Sequence, residues 1–461
     1  MPRGMPPAES STAHRGPALC PPVDPPHARA RAGASGATRL ASGLMSLAET
    51  SLRLVERALW PLAPRRRPGR PERIAVLRVG LIGDSLAALP AIDAVRQRHP
   101  EAELVVLSSP GPRGRAGARE LFANAPAVDR CLVWHAEEIR GLAGQWGLLR
   151  RLRAERFDRI YLLPQELTSP AIELRNLLFL RLSGAGWVRG TALSHGGWLP
   201  GPLARAHHLG ARFDPEWRRL VDLVARSGAV IDRPVSDLGS DPRAREEAAA
   251  LLCEQGLDRA PLLALGPGQN RLHKRWPAER FAVVARAWVD AGGRACVLGG
   301  PDEAELGDAV AAAAGPGVVN LCGRAGLSTS AELLRRCRAL VSNDTGTMHL
   351  AAAVGCPTVA VFSGWDREGS WHPFGERFVA LRETVECSPC FAQSCDRGGI
   401  CLDRIESSRA VDALQALVGS PSLEGTLRTA SETRPAESFQ DRERNAGPVL
   451  PAPKRPATSD R

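Results

Sequence analysis

Between residues 73 and 364 the chain alternates short, nearly continuous apolar runs with longer stretches in which apolar residues recur every three or four positions. The first kind suits strands buried on both faces of a parallel sheet, and the second suits the amphipathic helices that cover them. RIAVLRV, ELVVLSS, RCLVWH and RIYLLP are the predicted strands of a first half; LLALGPG, RACVLGG, GVVNLCG, RALVSND and PTVAVFSG are those of a second. LPAIDAVRQRH, PAERFAVVARAWVDAG, EAELGDAVAAAA and STSAELLRRC read as intervening helices. The alternation predicts an α/β protein with parallel sheets. The strand series pauses at Arg233 to Asp241 (RPVSDLGSD), a polar, turn-rich stretch that divides a domain over 71–235 from one over 242–415.

The ends have a different character. Residues 1–70 form a basic, Pro- and Ala-rich tail, and residues 416–461 are again polar and Pro-rich. Such compositions bury too little apolar surface to offset ordering entropy, so disorder is expected in both. Within the first tail, Met45, Ala48, Leu52, Val55 and Leu59 fall on one face of a helix over 41–60, followed by RRRPGR. This pattern fits either an interfacial membrane helix or one packed on the protein's own body. No run of 18 uncharged apolar residues occurs, so no transmembrane segment is expected. The expected location is the cytoplasm, with peripheral attachment to the inner membrane left open.

Charge changes this picture little. The 461 residues carry 60 basic and 50 acidic side chains, a net +10, but 11 arginines against 4 acids through Arg70 supply +7 of it. The nearly neutral remainder, with 5% aromatics, lacks the basic, aromatic-interleaved face of a nucleic-acid binder. Eleven cysteines are scattered, several in apolar runs such as those around Cys296 and Cys356, as expected of reduced, buried thiols in a cytosolic protein. Cys387, Cys390, Cys395 and Cys401 have a C-x2-C-x4-C-x5-C spacing that could close a zinc site or hold four reduced thiols; no metal is assigned.

Ligands of open parallel sheets bind beyond the carboxyl ends of the strands, and four loops there are unusually polar. After RIAVLRV, Gly80 and Gly83 bracket a tight turn with Asp84 at the junction to a helix. Asp84 and Ser85 suit a helix cap as well as chemistry. The Gly-x-x-Gly pair lacks the third glycine of a dinucleotide fingerprint, which argues against a dehydrogenase. After LLALGPG, Gly266 and Gly268 expose backbone, and Lys274 and Arg275 add cations, a combination that suits a diphosphate or an ordinary solvated loop. After RACVLGG, Asp302 or Glu303 could accept from ribose hydroxyls, or merely favour the first turn of a helix. After RALVSND comes Asp344-Thr345-Gly346-Thr347, opening a helix with His349 one turn in. The Gly346 and Thr347 amides there suit an anion, whereas a carboxylate repels phosphate. Asp344 is therefore expected to cap the helix or hold a sugar hydroxyl, which together suit a nucleotide sugar.

GDSLAALPAI, PGQNRLHKRWP, GGPDE and SNDTGTMHLAAAVGCPTVAVF, in this order, resemble glycosyltransferase family 9, the lipopolysaccharide heptosyltransferases. The resemblance runs from Arg73 to Arg404, and the D-[ST]-G-x-x-H-x-A element at Asp344 to Ala351 is its most specific part. It implies a GT-B fold, two Rossmann-like doubly wound domains facing a cleft, with acceptor on the first and sugar donor on the second. It also implies an inverting, metal-independent transfer of heptose from an ADP-activated donor to a glycolipid, with no cofactor. Carried over by position, Asp84 matches the general base, flanked by Gly83 and Ser85 on the acceptor side. Lys274 matches the diphosphate-binding lysine, and Glu303 the ribose contact. Gly268, Asp344, Thr345, Gly346, Thr347 and His349 complete the donor side, with Ser342 and Asn343 as supporting backbone positions.

One departure concerns the acceptor. Where family members have an aspartate-containing strand, this chain reads Leu162-Leu163-Pro164; Arg175 or Arg181 could meet an acceptor phosphate, though the pattern favours ordinary surface residues. A non-catalytic nucleotide-sugar binder, or a transferase using another donor, fits the same scaffold. Asp84 together with Lys274 favours the enzyme, since a binder needs no base in the opposite domain.

Overall fold

The computed structural model describes residues 36–58, 72–114, 116–165, 168–193, 198–199, 202–203, 214–226 and 237–419. Residues 1–35 and those after 419, where disorder is expected, lie outside the described residues, as do the RRRPGR segment and Arg233 to Ser236; residues 36–40, also expected to be disordered, instead begin a helix that runs to Ala58.

The first sheet is built from β1 (Arg73–Leu77), β2 (Glu103–Ser108), β3 (Arg130–Val133), β4 (Arg159–Leu162) and β5 (Trp187–Arg189). Around it lie α1 (Gly36–Ala58), α2 (Ile82–Arg98), α3 (Ala118–Leu121), α4 (Gly141–Glu155), α5 (Pro170–Leu182) and α6 (Glu216–Arg226). The second sheet contains β6 (Leu262–Gly266), β7 (Arg294–Val297), β8 (Val318–Asn320), β9 (Ala339–Asn343), β10 (Thr358–Phe362) and β11 (Phe378–Arg382). Its helices are α7 (Pro242–Glu254), α8 (Ala278–Asp290), α9 (Ala304–Ala314), α10 (Leu327–Arg336), α11 (Gly346–Ala353), α12 (Ile400–Asp403) and α13 (Ser407–Val418).

Both sheets are parallel throughout, in the orders β3-β2-β1-β4-β5 and β11-β10-β9-β6-β7-β8. Each chain path starts near the middle of its sheet, runs outward to one edge and then returns to the other side of its first strand. β1 therefore lies between β2 and β4, with Val76 opposite Val106 on one side and Tyr161 on the other. β6 lies likewise between β7 and β9. Loops leave such a switch point in opposite directions and open a crevice. The loops after β1, β6 and β9, three of the four polar loops, all start there.

All nine predicted strands form. β5 and β11 were not expected: β5 has three residues, and β11 is a largely half-buried edge, so neither carries a long apolar run. Helix α2 begins at Ile82, seven residues before the periodic segment that announced it. Ser85 to Ala91 are all buried, and a helix enclosed on every side shows no amphipathic period.

Helix α1 uses its expected apolar face internally. Ala41, Met45 and Leu52 are buried in a cluster with Leu193 and Leu199, and Leu174 of α5 packs against it. Glu56 is buried too, accepting from Thr191 Oγ1 and pairing with Arg189 Nη1 at 2.9 Å. The helix thus packs on the protein's own body through the face that also suited a membrane; Leu59 lies outside the described residues. Among the described residues no helix is long and apolar enough to cross a membrane.

The two sheets share a core. Leu86, Leu89 and Ile92 of α2, Leu220 and Val224 of α6, and Leu350 and Ala351 of α11 belong to one buried cluster. The Glu216 N–H also donates to the Ser370 carbonyl of the second half at 2.7 Å.

Candidate active site

Asp84 sits in the first turn of α2, its side chain 23% exposed. It does not occupy the cap position, which is Leu81. Its Oδ2 accepts from the Leu81 N–H at 3.0 Å, and its Oδ1 pairs with Arg78 Nη2 at 3.0 Å. Burial pushes the Asp84 carboxyl up, opposed chiefly by the Arg78 guanidinium and the Leu81 amide. Ser85 is no cap either: it is 1% exposed, and its Oγ has no hydrogen-bond partner among the described residues.

Arg78 is the residue that sequence reasoning missed. It is 1% exposed and donates to the Asp84 carbonyl, to the Pro164 carbonyl at 2.7 Å and, through Nη2, to Glu216 Oε1 at 3.1 Å. Arg219 holds Glu216 from the other side, Nε to Oε2 at 2.7 Å, and also donates to Pro164 O. A buried cation is tolerable only when its donors are matched, and this lattice matches them. The Leu162-Leu163-Pro164 departure thus supplies a carbonyl to the arginines that hold Asp84 and Glu216. The available signal was an arginine closing the apolar run RIAVLRV.

On the second sheet, Lys274 and Asp344 meet. Lys274 is 9% exposed, its Nζ lies 3.0 Å from Asp344 Oδ2, and the same ammonium stands 4.8 Å from the centroid of Trp365. Asp344 therefore does not cap α11. Thr345 does, its Oγ1 accepting from the Thr347 N–H at 3.1 Å. Of the two amides expected to face an anion, Thr347's is taken by that cap, which leaves Gly346's as the candidate.

Ser342 and Asn343 act through side chains rather than backbone alone. Asn343 accepts from the Trp276 N–H at 3.1 Å and donates to Pro267 O at 2.7 Å, tying the loops after β6 and β9 together. Ser342 Oγ donates to Gly266 O at 3.1 Å, and a Cβ at Gly266 would stand 2.5 Å from that hydroxyl. Glu303 lies over Gly268, where an added Cβ would collide with its carboxylate, and its Oε2 accepts from the Gly300 N–H at 3.0 Å. Asp302 is exposed.

His349 is buried beside this loop, edge-on to Trp371 at 6.0 Å between centroids. Burial lowers its pKa to about 4 against the pull of Asp344, so near neutrality it carries no charge to offer a phosphate.

The two halves meet at these helix starts. A Cβ on Gly83 would lie 3.3 Å from His349 Cδ2, and one on Gly346 would lie 3.2 Å from Ile82 Cβ. Gly83 thus faces α11 rather than open acceptor space. This contact brings the Asp84 turn beside the turn that begins with Asp344.

A fifth strand-end loop, SGWDREGS after β10, also belongs to the site. Asp366 is buried, and its Oδ1 accepts from the Arg367 N–H at 2.7 Å. Burial raises its carboxyl, with Lys274 and Arg367 acting against that and Asp344 with it. Arg271 lies over the same Trp365 ring, 4.7 Å from the centroid. The sequence signal was the charged run Asp366-Arg367-Glu368 just after the apolar strand PTVAVF.

Other candidates do not converge here. Arg175 is exposed and bonded to Asn176 at 3.1 Å, whereas Arg181 is half-buried near Arg189 and Glu56. Cys387, Cys390, Cys395 and Cys401 are free thiols, and among the described residues no group of three or more His, Cys, Asp or Glu side chains is arranged to hold a metal.

Comparisons with known proteins agree with one another. The family profile described as glycosyltransferase family 9 (heptosyltransferase) matches residues 145–400, more than half of the chain. Lipopolysaccharide heptosyltransferase 2 of Salmonella typhimurium is 25% identical over 306 residues, covering 63% of this chain and 82% of that protein. A glycosyltransferase of family 9 from Veillonella parvula superposes with a TM-score of 0.61 at 19% identity, over 75% of this chain and 97% of that one. The E. coli ADP-heptose lipopolysaccharide heptosyltransferase II superposes with a TM-score of 0.54 at 22% identity, over 75% and 98%. At those identities the superpositions establish the shared fold.

Proposed function

The chain belongs to glycosyltransferase family 9, and on that premise we propose that it is an inverting transferase moving a heptose from an ADP-activated donor to a lipopolysaccharide-type glycolipid. The names of its relatives, lipopolysaccharide heptosyltransferase and ADP-heptose heptosyltransferase, support that donor and acceptor. Residues 71–235 hold the acceptor, residues 242–415 hold the donor, and the protein works at the cytoplasmic face of the inner membrane.

In this reading Asp84 takes the proton of an acceptor hydroxyl while that oxygen bonds to the anomeric carbon from the face opposite the nucleotide. The bond from that carbon to the diphosphate oxygen breaks, its electron pair leaving with ADP. Lys274 exchanges its Asp344 partner for the diphosphate and offsets the departing charge. Asp344, released, faces heptose hydroxyls. Gly346 offers a helix-start amide to phosphate, and Glu303, which covers the buried Gly268 that was expected to expose backbone, faces the ribose.

One observation carries the proposal: the α2 start bearing Asp84 and the α11 start bearing the donor loop abut, although each comes from a different sheet. The test is turnover of ADP-heptose to ADP with acceptor, alongside calorimetric titration of ADP, UDP and GDP. Asp84→Ala is expected to lower turnover at least about 100-fold and leave ADP affinity unchanged. Full activity in that variant would remove the base; selective UDP or GDP binding would replace the donor. Donor binding without turnover in the native chain would establish a non-catalytic binder.

A further inference from the structure

Among the described residues, eight of the ten large apolar side chains left exposed belong to α1, α4 and α5. Leu40, Leu47 and Leu54 recur at steps of seven on α1, 55%, 64% and 58% exposed. A step of seven residues turns a helix back to within about 20° of the same face, so they form one stripe. That stripe is distinct from the face holding Ala41, Met45 and Leu52 against the body. On α5, Leu178 and Leu182 lie one turn apart and are exposed, while Leu177 and Leu180 enter the core. Helix α4 continues the surface. Arg153 donates to Leu182 O at 2.7 Å, and its guanidinium lies 5.6 Å from the centroid of the exposed Trp146. The three helices cover one side of the first sheet, since Val55 of α1 packs on the same core cluster as Leu148 of α4 and Leu177 of α5.

The charges around this surface are mostly positive. Arg39 and Arg57 of α1, Arg150 and Arg153 of α4, and Arg175 of α5 are exposed. The acids of α1 are already occupied, Glu49 by Arg53 and Glu56 by Arg189. The chain continues from α1 into PLAPRRRPGR. Leucines and a tryptophan interleaved with arginines match an anionic bilayer surface, where apolar tips enter the acyl boundary and guanidinium groups reach phosphates. Two copies joined by this face would instead set arginines against arginines, which like-charge repulsion opposes.

We propose that the exposed face of α1, α4 and α5 docks on an anionic lipid bilayer, with the Leu40–Leu47–Leu54 stripe inserted at the interface. This deepens the reading of the acceptor as a glycolipid, because it holds the acceptor-side half against the surface that carries one. The test needs neither donor nor acceptor, so it fails or succeeds apart from that reading.

The full chain is floated with vesicles of phosphatidylcholine alone and with phosphatidylglycerol added. Binding at least about tenfold tighter to the anionic vesicles, weakening as salt rises, is expected. Leu47→Glu with Leu54→Glu, and separately Leu178→Glu with Leu182→Glu, should each lower that binding by at least about tenfold. These positions point to solvent, so the melting temperature and ADP affinity should stay unchanged, which separates lost docking from lost folding. Variants that bind as tightly as the native chain, or a native chain that floats with neither vesicle, would overturn the proposal. So would a native dimer dissociated by Leu47→Glu without loss of vesicle binding, which assigns the face to a second copy. Vesicle binding seen only after residues 1–35 or 420–461 are removed would likewise overturn it, assigning the face to the chain's own ends.

Discussion

A carboxylate that takes a proton from a sugar hydroxyl must be ionised before the acceptor arrives and still be basic enough to accept. At Asp84 the influences oppose one another: burial and Glu216 push its carboxyl up, while Arg78 and the Leu81 amide hold it down. Arg78→Gln removes the main lowering influence. The acid limb of the pH dependence of kcat/KM should therefore move to higher pH. Because Glu216 keeps only Arg219, stability should also drop by about 3 kcal/mol, the cost of breaking a buried pair. Glu216→Gln should move the same limb the other way. Superimposable pH profiles for the native chain and both variants would rule out Arg78 and Glu216 as the groups that set the base. At this scale the sequence displayed Asp84 plainly, since an acid after two glycines at a strand end stands out. It hid Arg78 and Glu216, whose roles depend on burial 138 positions apart.

The site depends on how two helix starts are held together. His349 lies in that junction as a neutral imidazole. In the folded chain its pKa is about 4, against an ordinary value near 6.5. Between those values the unfolded chain binds a proton that the folded chain refuses, so stability falls as pH drops below 6.5. Urea unfolding should show a loss of about 2 kcal/mol between pH 7 and pH 5 attributable to this group, and His349→Gln should flatten that part of the curve. A native curve that stays level across the interval would contradict the buried neutral ring. The adjoining glycine gives a second check. In Gly346→Ala the new methyl meets Ile82 at 3.2 Å, and prying the helices apart should cost on the order of 1 kcal/mol in stability. Turnover should fall more than ADP affinity does, since base and donor loop separate while the donor loop itself survives.

For the molecule as a whole, nucleotide binding is assigned to the second half and the base to the first. Saturating ADP should therefore stabilise the chain whether or not Asp84 is present, by about 2.7 kcal/mol at a hundredfold excess over Kd. Lys274→Ala should reduce that stabilisation sharply. Thermal unfolding with and without ADP distinguishes the cases, and an Asp84→Ala chain that no longer responds to ADP would show that the halves do not divide the work this way. Under the proposed division, the shared core of α2, α6 and α11 is what would hold the two halves to one reaction.

The sequence by itself determined nine of the eleven described strands, the parallel α/β class and the loops that carry Asp84, Lys274, Glu303 and Asp344. These follow from local periodicity and from the short list of residues able to end a strand in a polar turn. It also left α1 with two readings, because an apolar helical face looks alike whatever it meets. Only the tertiary structure decided which face of α1 is internal, that Lys274 takes Asp344 as its partner, and that Thr345 rather than Asp344 caps α11. It alone joined Arg78, Glu216 and Arg219 beside Asp84. Each of these is a pairing between segments distant in the chain. Electrostatic and packing energies depend on separation in space, and no single stretch of sequence contains that separation.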